Sequence, residues 1–378
     1  MSSGTLVALA LAVVAPPADS ELKKKAEALV AQLGHPDYRD RERAARQLLD
    51  LGYPAKDAVL AGKQSSDTEI SDRCKKLYPA IWRHGLEKRV QRFLDDTDGP
   101  IPDDLPAAAR WLKLAGDGGK SREKYAEVVQ AHAELLLEVE LRPERLNDLY
   151  AEFIRGVYDR TRSPGRPVSE RRGPTESELL LYFFLGAAGD VRPSTLLPGA
   201  ASTYYTQFLN VPSVTARLSD EPVRKLYAGW LEKERYSIVL RRGIDLAVQN
   251  GVTECRPATL KIAEDRGSLP MVRSMALLGF ARLGTKEQLS ELEPFLADKL
   301  QIGAVVINME RATVQMRDVA LGAALHLAGQ DPADFGFERR PPSGLVISSY
   351  SYYAFGTDEK REAAHAKWKE WAGTNLKK

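Results

Sequence analysis

Three separated segments of the chain carry the same spacing of residues. RERAARQLLDLG runs from Arg41 to Gly52, PMVRSMALLGFARLG from Pro270 to Gly284, and RDVALGAALHLAG from Arg317 to Gly329. In each, an Arg stands three residues before an Ala (Ala44, Ala276, Ala320). A small or apolar residue follows four on (Leu48, Phe280, Ala324), and Leu seven on (Leu51, Leu283, Leu327). Positions i, i+4 and i+7 share one helix face, so each segment predicts a helix with a narrow apolar stripe. A small Ala in that stripe lets a second helix approach closely. Gly52 and Gly284 close the first two segments at once, and Gly329 closes the third one residue later, where a helix ends by turning left-handed. A helix pair with one such stripe cannot hide it alone and needs another pair stacked on it.

The rest of the chain agrees with that picture. Leu22, Ala26, Leu29, Val30 and Leu33 repeat at helix spacing, as do Ile70, Cys74, Leu77, Tyr78, Ile81 and Trp82. So do the stripes Tyr125–Val139, with His132 on it, and Leu146–Val157. Further helices are predicted near 40–52, 54–63, 86–95, 104–115, 176–188, 219–233, 235–249, 257–265, 270–283, 286–297, 311–328 and 359–372, most of them bounded by Gly, Pro or Asp. Strand signals are confined to QIGAVVIN (Gln301–Asn308) and LVISSYSYY (Leu345–Tyr353), which are expected to pair as a ribbon.

The pattern Pro-x-Val-Arg-x-x-Ala followed by Leu and Gly resembles the second helix of the HEAT repeat, a class of α-solenoids. Pro270–Gly284 matches it in full, and Arg41–Gly52 and Arg317–Gly329 match in part. The resemblance covers about 21–83 and 256–329, with the middle joined only by its helicity. The interval from Ala44 to Cys74 is 30 residues and that from Ala276 to Ala320 is 44, so the period is irregular. The expected fold is therefore all-α: an irregular HEAT-like solenoid of stacked helical hairpins, with one small β-ribbon near the carboxyl end. The resemblance implies that Arg41, Arg273 and Arg317 are scaffold residues, bonding within and between repeats.

Thr5–Ala15 reads TLVALALAVVA, an apolar run of 11 residues followed by Pro16, Pro17, small residues and the charged stretch Glu21–Lys25. It is too short to span a bilayer, which takes about 20 residues, and has the outline of a secretory signal peptide, although MSSG before it carries no Lys or Arg. The expected organisation is a signal peptide over 1–18, a helical block over 19–158, a linker over 159–174 and a second helical block over 175–378. The linker sequence DRTRSPGRPVSERRG has five Arg against two acids and no apolar period.

Few residues point to chemistry. Lys+Arg total 54 and Asp+Glu 52, a balance that argues against a strongly basic nucleic-acid binder. GDGGKS (Gly116–Ser121) lacks the earlier Gly and the preceding strand of a phosphate loop, since Leu114 stands in the Gly position. It reads as a surface turn with Ser121 capping the next helix. His35, His84, His132, His326 and His365 are scattered, with no i, i+3 or i+4 pair. No GxSxG, CxxC, HExxH or EF-hand pattern occurs. Cys74 lies on an apolar stripe and reads as a small core residue; export would permit a disulfide to Cys255, but spacing does not place the two together. Asp95-Asp96 and Asp103-Asp104 flank helix ends, where carboxylates favour the dipole. Tyr350, Tyr352, Tyr353 and Phe355 form an aromatic cluster that serves either a partner or the last helix. No catalytic, cofactor-binding or metal-ligating residue is assigned. The expected function is that of an exported, non-catalytic scaffold that binds a protein partner, with no transmembrane segment. The alternatives are a HEAT-fold nucleic-acid protein such as a DNA glycosylase, and an enzyme with dispersed site residues.

Overall fold

Two aspartates cap the second helix of each of the first two helix pairs. Asp37 accepts the Arg39 amide and Asp67 accepts those of Glu69 and Ile70, each filling donors that a helix start leaves open. The helices they cap are α2 (Tyr38–Leu51) and α4 (Thr68–Arg83), preceded by α1 (Ala18–Gln32) and α3 (Lys56–Gly62). The computed structural model describes residues 18–97, 99–161, 173–189, 207–209, 212–307, 309–339 and 345–376. The expected signal segment lies outside them, as does 162–172 of the expected linker. The chain forms two compact units, divided between Arg92 and Phe93. The division expected at 159–174 falls inside the second unit. There α8 continues to Thr161, and the helices on either side of that stretch pack on each other.

In the first unit α1 packs on α2 and α3, while α4 packs on α3 and α2. Ala26, Leu29, Ala44, Leu48, Val59 and Ile81 fill the space between them. Cys74 is buried there as a free thiol. Gly62 faces it so closely that an added Cβ would stand 2.5 Å from the sulfur. Burial pushes the Cys74 thiol up to about 11, so it remains protonated and behaves as an apolar group. Cys255 is likewise free and buried, in the second unit. Helix α5 (Leu86–Asp95) follows Gly85 and crosses the division.

The second unit continues with α6 (Ala108–Ala115), α7 (Gly119–Leu141), α8 (Leu146–Thr161), α9 (Glu176–Ala187), α10 (Pro212–Arg217), α11 (Glu221–Lys233), α12 (Ser237–Gln249), α13 (Arg256–Glu264) and α14 (Pro270–Leu283). A 3-10 turn, Lys286–Leu292, leads into α15 (Glu293–Leu296), then β1 (Gln301–Ile307), β2 (Glu310–Gln315), α16 (Met316–Leu327) and α17 (Asp358–Asn375). The fold is mostly helical, with one two-stranded antiparallel sheet near the carboxyl end. Many contacts follow chain order, although α6 also packs on α11. Neighbours α6–α7, α8–α9 and α13–α14 pack together, and so do alternate helices: α7–α9–α11–α13 in one series and α12–α14–α16 in another. Helix α9 is buried from Leu179 to Ala187, which accounts for its uninterrupted apolar sequence. Around it gather Tyr150, Phe208, Tyr227 and Trp230, and Tyr182 stacks on Phe208 with ring centres 4.2 Å apart. Among the described residues no helix is long and apolar enough to cross a membrane.

The ribbon is not paired as expected. β1 joins β2 in a hairpin, with Val305 opposite Ala312. Leu345–Tyr353 contributes no strand; it holds a short 3-10 turn, Tyr350–Tyr352. ERATVQ alternates, with Ala312 and Val314 buried, but it abuts a helical stripe and so reads in sequence as the start of that helix. Tyr353 takes its place in the core instead. Its hydroxyl donates to the Val346 carbonyl and accepts the Val346 amide, and its ring lies where Gly322 leaves α16 bare. Phe355 packs on Phe337, so this part of the aromatic cluster serves the interior.

Candidate functional site

Most buried charge in this protein is used in joining helices, and the joint recurs. Arg41, Arg89, Arg122, Arg224 and Arg273 are each the fourth residue of a helix (α2, α5, α7, α11 and α14). Helical side chains lean toward the amino end, so a long one at that position reaches back to the turn before its own helix. Arg41 donates to the carbonyls of His35 and Pro36, and Arg89 to those of Trp82 and His84. Arg122 donates to Phe93, Asp96, Thr97 and Asp117, Arg224 to Ser219, and Arg273 to Ala263. Ser71, fourth in α4, does the same for Lys63 through its hydroxyl. The carbonyls at a helix end lack partners and carry partial negative charge, which a guanidinium with five donors satisfies. Arg41 and Arg273 therefore sit at helix joints. Arg317 is the second residue of α16 and pairs with Glu362 at 2.8 Å.

Arg361, fourth in α17, meets Asp318 of α16 at 2.8 Å, with the two side chains 1% and 0% exposed. Asp318 also accepts the Gln315 amide, and Arg361 reaches the Thr313 carbonyl of β2 and Asp358. His365 stands one turn further on, its Nε2 3.9 Å from Asp318. This cluster fixes α17 against α16 and the hairpin. Glu178 of α9 is held in a similar way by two bonds of 2.6 Å from Arg160. Burial pushes its carboxyl up, but Arg160 and the Thr175 amide outweigh burial and hold it below the usual range.

Two sequence features change meaning. Ser121 does not cap α7; Gly118 precedes that helix without a side-chain bond. Ser121 is buried and accepts the Trp111 indole N–H at 3.1 Å. His132 interrupts α7 with non-helical angles (φ −133°, ψ 29°), and its Nε2 lies 3.2 Å from Ser177 Oγ at the start of α9. Burial lowers the His132 pKa, so the ring is neutral at neutral pH and able to take a proton from the Ser177 hydroxyl. Among the described residues no group of His, Cys, Asp or Glu is arranged to hold a metal ion.

One buried carboxyl is not spent on a joint. Where α11 ends, Glu234 turns inward and is 5% exposed. One oxygen, Oε1, accepts the amides of Arg235 and Tyr236, each at 2.8 Å. No bond to Oε2 is formed among the described residues. Burial raises the carboxyl's pKa, since only backbone dipoles and the Arg235 charge oppose the loss of water. Glu234 lines a cleft of about 190 Å³ with Lys233, Arg235, Lys261, Asp265 and Ser268 among its walls. Lys261 pairs with Glu232 at 2.5 Å, and Arg235 turns its guanidinium to the carbonyls of Glu232 and Glu234. Sequence reasoning anticipated Arg41 and Arg273 as scaffold residues but missed the joints at Arg89, Arg122, Arg224 and Arg361, and this cleft. The joints have a legible signal, an Arg four residues after a helix-starting Asp or Gly in four of the six Arg cases (Asp37, Gly85, Gly118 and Asp220), with Thr357 before Arg361 as a fifth starter. The cleft has none, because nothing in LEKERYS marks one Glu as buried.

No family model matches the chain, and no curated protein or solved structure shows a significant match to it.

Proposed function

We infer that the protein is an exported, HEAT-like stack of helical hairpins that acts by binding a protein partner. One observation carries this reading: in the first unit helices pack on an immediate neighbour and on the next but one, as α1–α2, α3–α4, α1–α3 and α2–α4 do, and the second unit has the alternate series α7–α9–α11–α13 and α12–α14–α16 beside a longer-range packing of α6 on α11. That is the contact order of hairpins laid one on another, and such stacks present long surfaces suited to another chain. The arginine joints support it, since the same side chain in the same place ties successive helices. Burial of Arg89, Arg122, Arg273 and Arg361 in those joints also takes them away from any phosphate-binding surface, which favours the protein-binding reading over the nucleic-acid one. Export rests on the apolar segment Thr5–Ala15. Chemical cross-linking in the native compartment, followed by purification of this chain, is expected to bring down one protein in a fixed ratio, with the chain beginning near residue 16–19. Recovery of the chain alone, starting at Met1, would count against both parts.

The 3.2 Å approach of His132 to Ser177 favours one second reading, a hydrolase with a serine nucleophile. A fluorophosphonate probe would then label Ser177, and His132→Ala would abolish labelling. An unlabelled protein leaves the contact as a bond between α7 and α9.

A further inference from the structure

We propose that the cleft at the ends of α11 and α13 is a docking pocket for one basic side chain, lysine or arginine, of a partner protein, with Glu234 as its counter-charge. The inference deepens the protein-binding reading and rests on it.

The cleft's cations are already engaged: Lys261 pairs with Glu232, Arg235 donates to two main-chain carbonyls, and Lys233 is not free either. Its carboxylates are not matched in the same way. Glu234 is held only by two amides at Oε1, and Asp265 only by the Gly267 amide and the Ser268 hydroxyl. Neither forms an ion pair among the described residues. Glu234 is 5% exposed, with Oε1 anchored by two amides and Oε2 given no bond by the described residues, so that water or a cation in the cleft completes it. An ammonium or guanidinium entering the cleft supplies the missing donor and the missing charge together.

Size and surroundings identify the source of that cation. At about 190 Å³ the space is smaller than the roughly 300–1,000 Å³ of pockets that enclose whole small molecules, and it suits a single side chain. Aliphatic residues stand beside it in the chain: Ile238, two residues before the lining Leu240, is 49% exposed, and Leu269, directly after the lining Ser268, is 60% exposed. Both are apolar side chains about half exposed, one or two residues in sequence from the cleft's lining. A buried polar anchor flanked by apolar contacts is how a protein interface concentrates its affinity. A free polyamine or metal ion would use the charge and leave the apolar residues idle.

The test is selection of peptides from a random displayed library on the purified full chain, with each winner measured by fluorescence anisotropy. The selected peptides should share a Lys or Arg next to an apolar residue. Glu234→Gln should weaken them at least ten-fold without lowering the melting temperature, and exchanging the basic residue for norleucine should do the same. Leu269→Ser should weaken them several-fold while leaving the basic residue essential. Winners without a basic residue, or bound equally by wild type and Glu234→Gln, would overturn the pocket and leave the protein-binding reading standing. An empty selection would overturn the pocket too, while the cross-linking experiment decides the broader reading by itself.

Discussion

Arg122 shows how much a single residue can hold. Its guanidinium meets four main-chain carbonyls from the end of α5 and the turn before α7, and it is almost fully buried. Removing it leaves several carbonyls dry and unpaired, so Arg122→Met should cost about 3 kcal/mol, seen as a lower urea midpoint at unchanged slope. Arg122→Lys should fall between, because an ammonium cannot match the fork. Glu234 makes the opposite kind of contribution. Its folded pKa is raised by burial, so its share of stability is fully present below the unfolded value of about 4.3 and is lost as pH rises through the folded value. Glu234→Gln should therefore be more stable than wild type at pH 7, with the gap closing as pH falls toward 4. Thermal melts across that range read it directly, and a variant equally stable or weaker at pH 7 would show that the carboxylate is well solvated.

Elements pack as closely as their smallest residues permit. Gly62 lets α3 approach α4 at Cys74, and a Cβ there would stand 2.5 Å from the sulfur and 2.8 Å from a Val30 methyl. Gly62→Ala should lose on the order of 1–3 kcal/mol, with part of the loss restored by adding Cys74→Ala; denaturant titration of the single and double variants measures the coupling. At this scale the sequence was most legible. The stripe Ile70–Trp82 falls within α4, and the stripe Leu146–Val157 within α8. The exceptions are instructive. Glu310–Gln315 merges in sequence with the next helix because six residues of alternation beside a strong helical stripe do not stand out. Leu345–Tyr353 looked like a strand from its β-branched and aromatic residues, yet Tyr353 was needed by α16 at Gly322.

For the carboxyl-terminal series α12–α14–α16, contacts that follow chain order predict how damage spreads. Ala276 is fully buried on α14, which packs on α12, α13 and α16. Ala276→Asp places a charge there without a partner, at a cost of several kcal/mol. In a stack, the loss should be felt first by the adjacent helices. Hydrogen exchange should quicken in α12, α13 and α16 while α7 and α8 keep their protection. Uniform loss across the second unit would point to a single undivided core.

Most of the helices, and many of their ends, were determined by the sequence alone; α10 and the 3-10 turn at Lys286–Leu292 were not. Periodicity, capping aspartates and stop glycines act over a few residues, and nothing far away is needed to read them. Which helices meet, which arginine closes which turn, and why Glu234 is buried while Glu232 is not were decided only by the tertiary structure. Burial is a property of what arrives from elsewhere in the chain, and a local pattern carries no record of it.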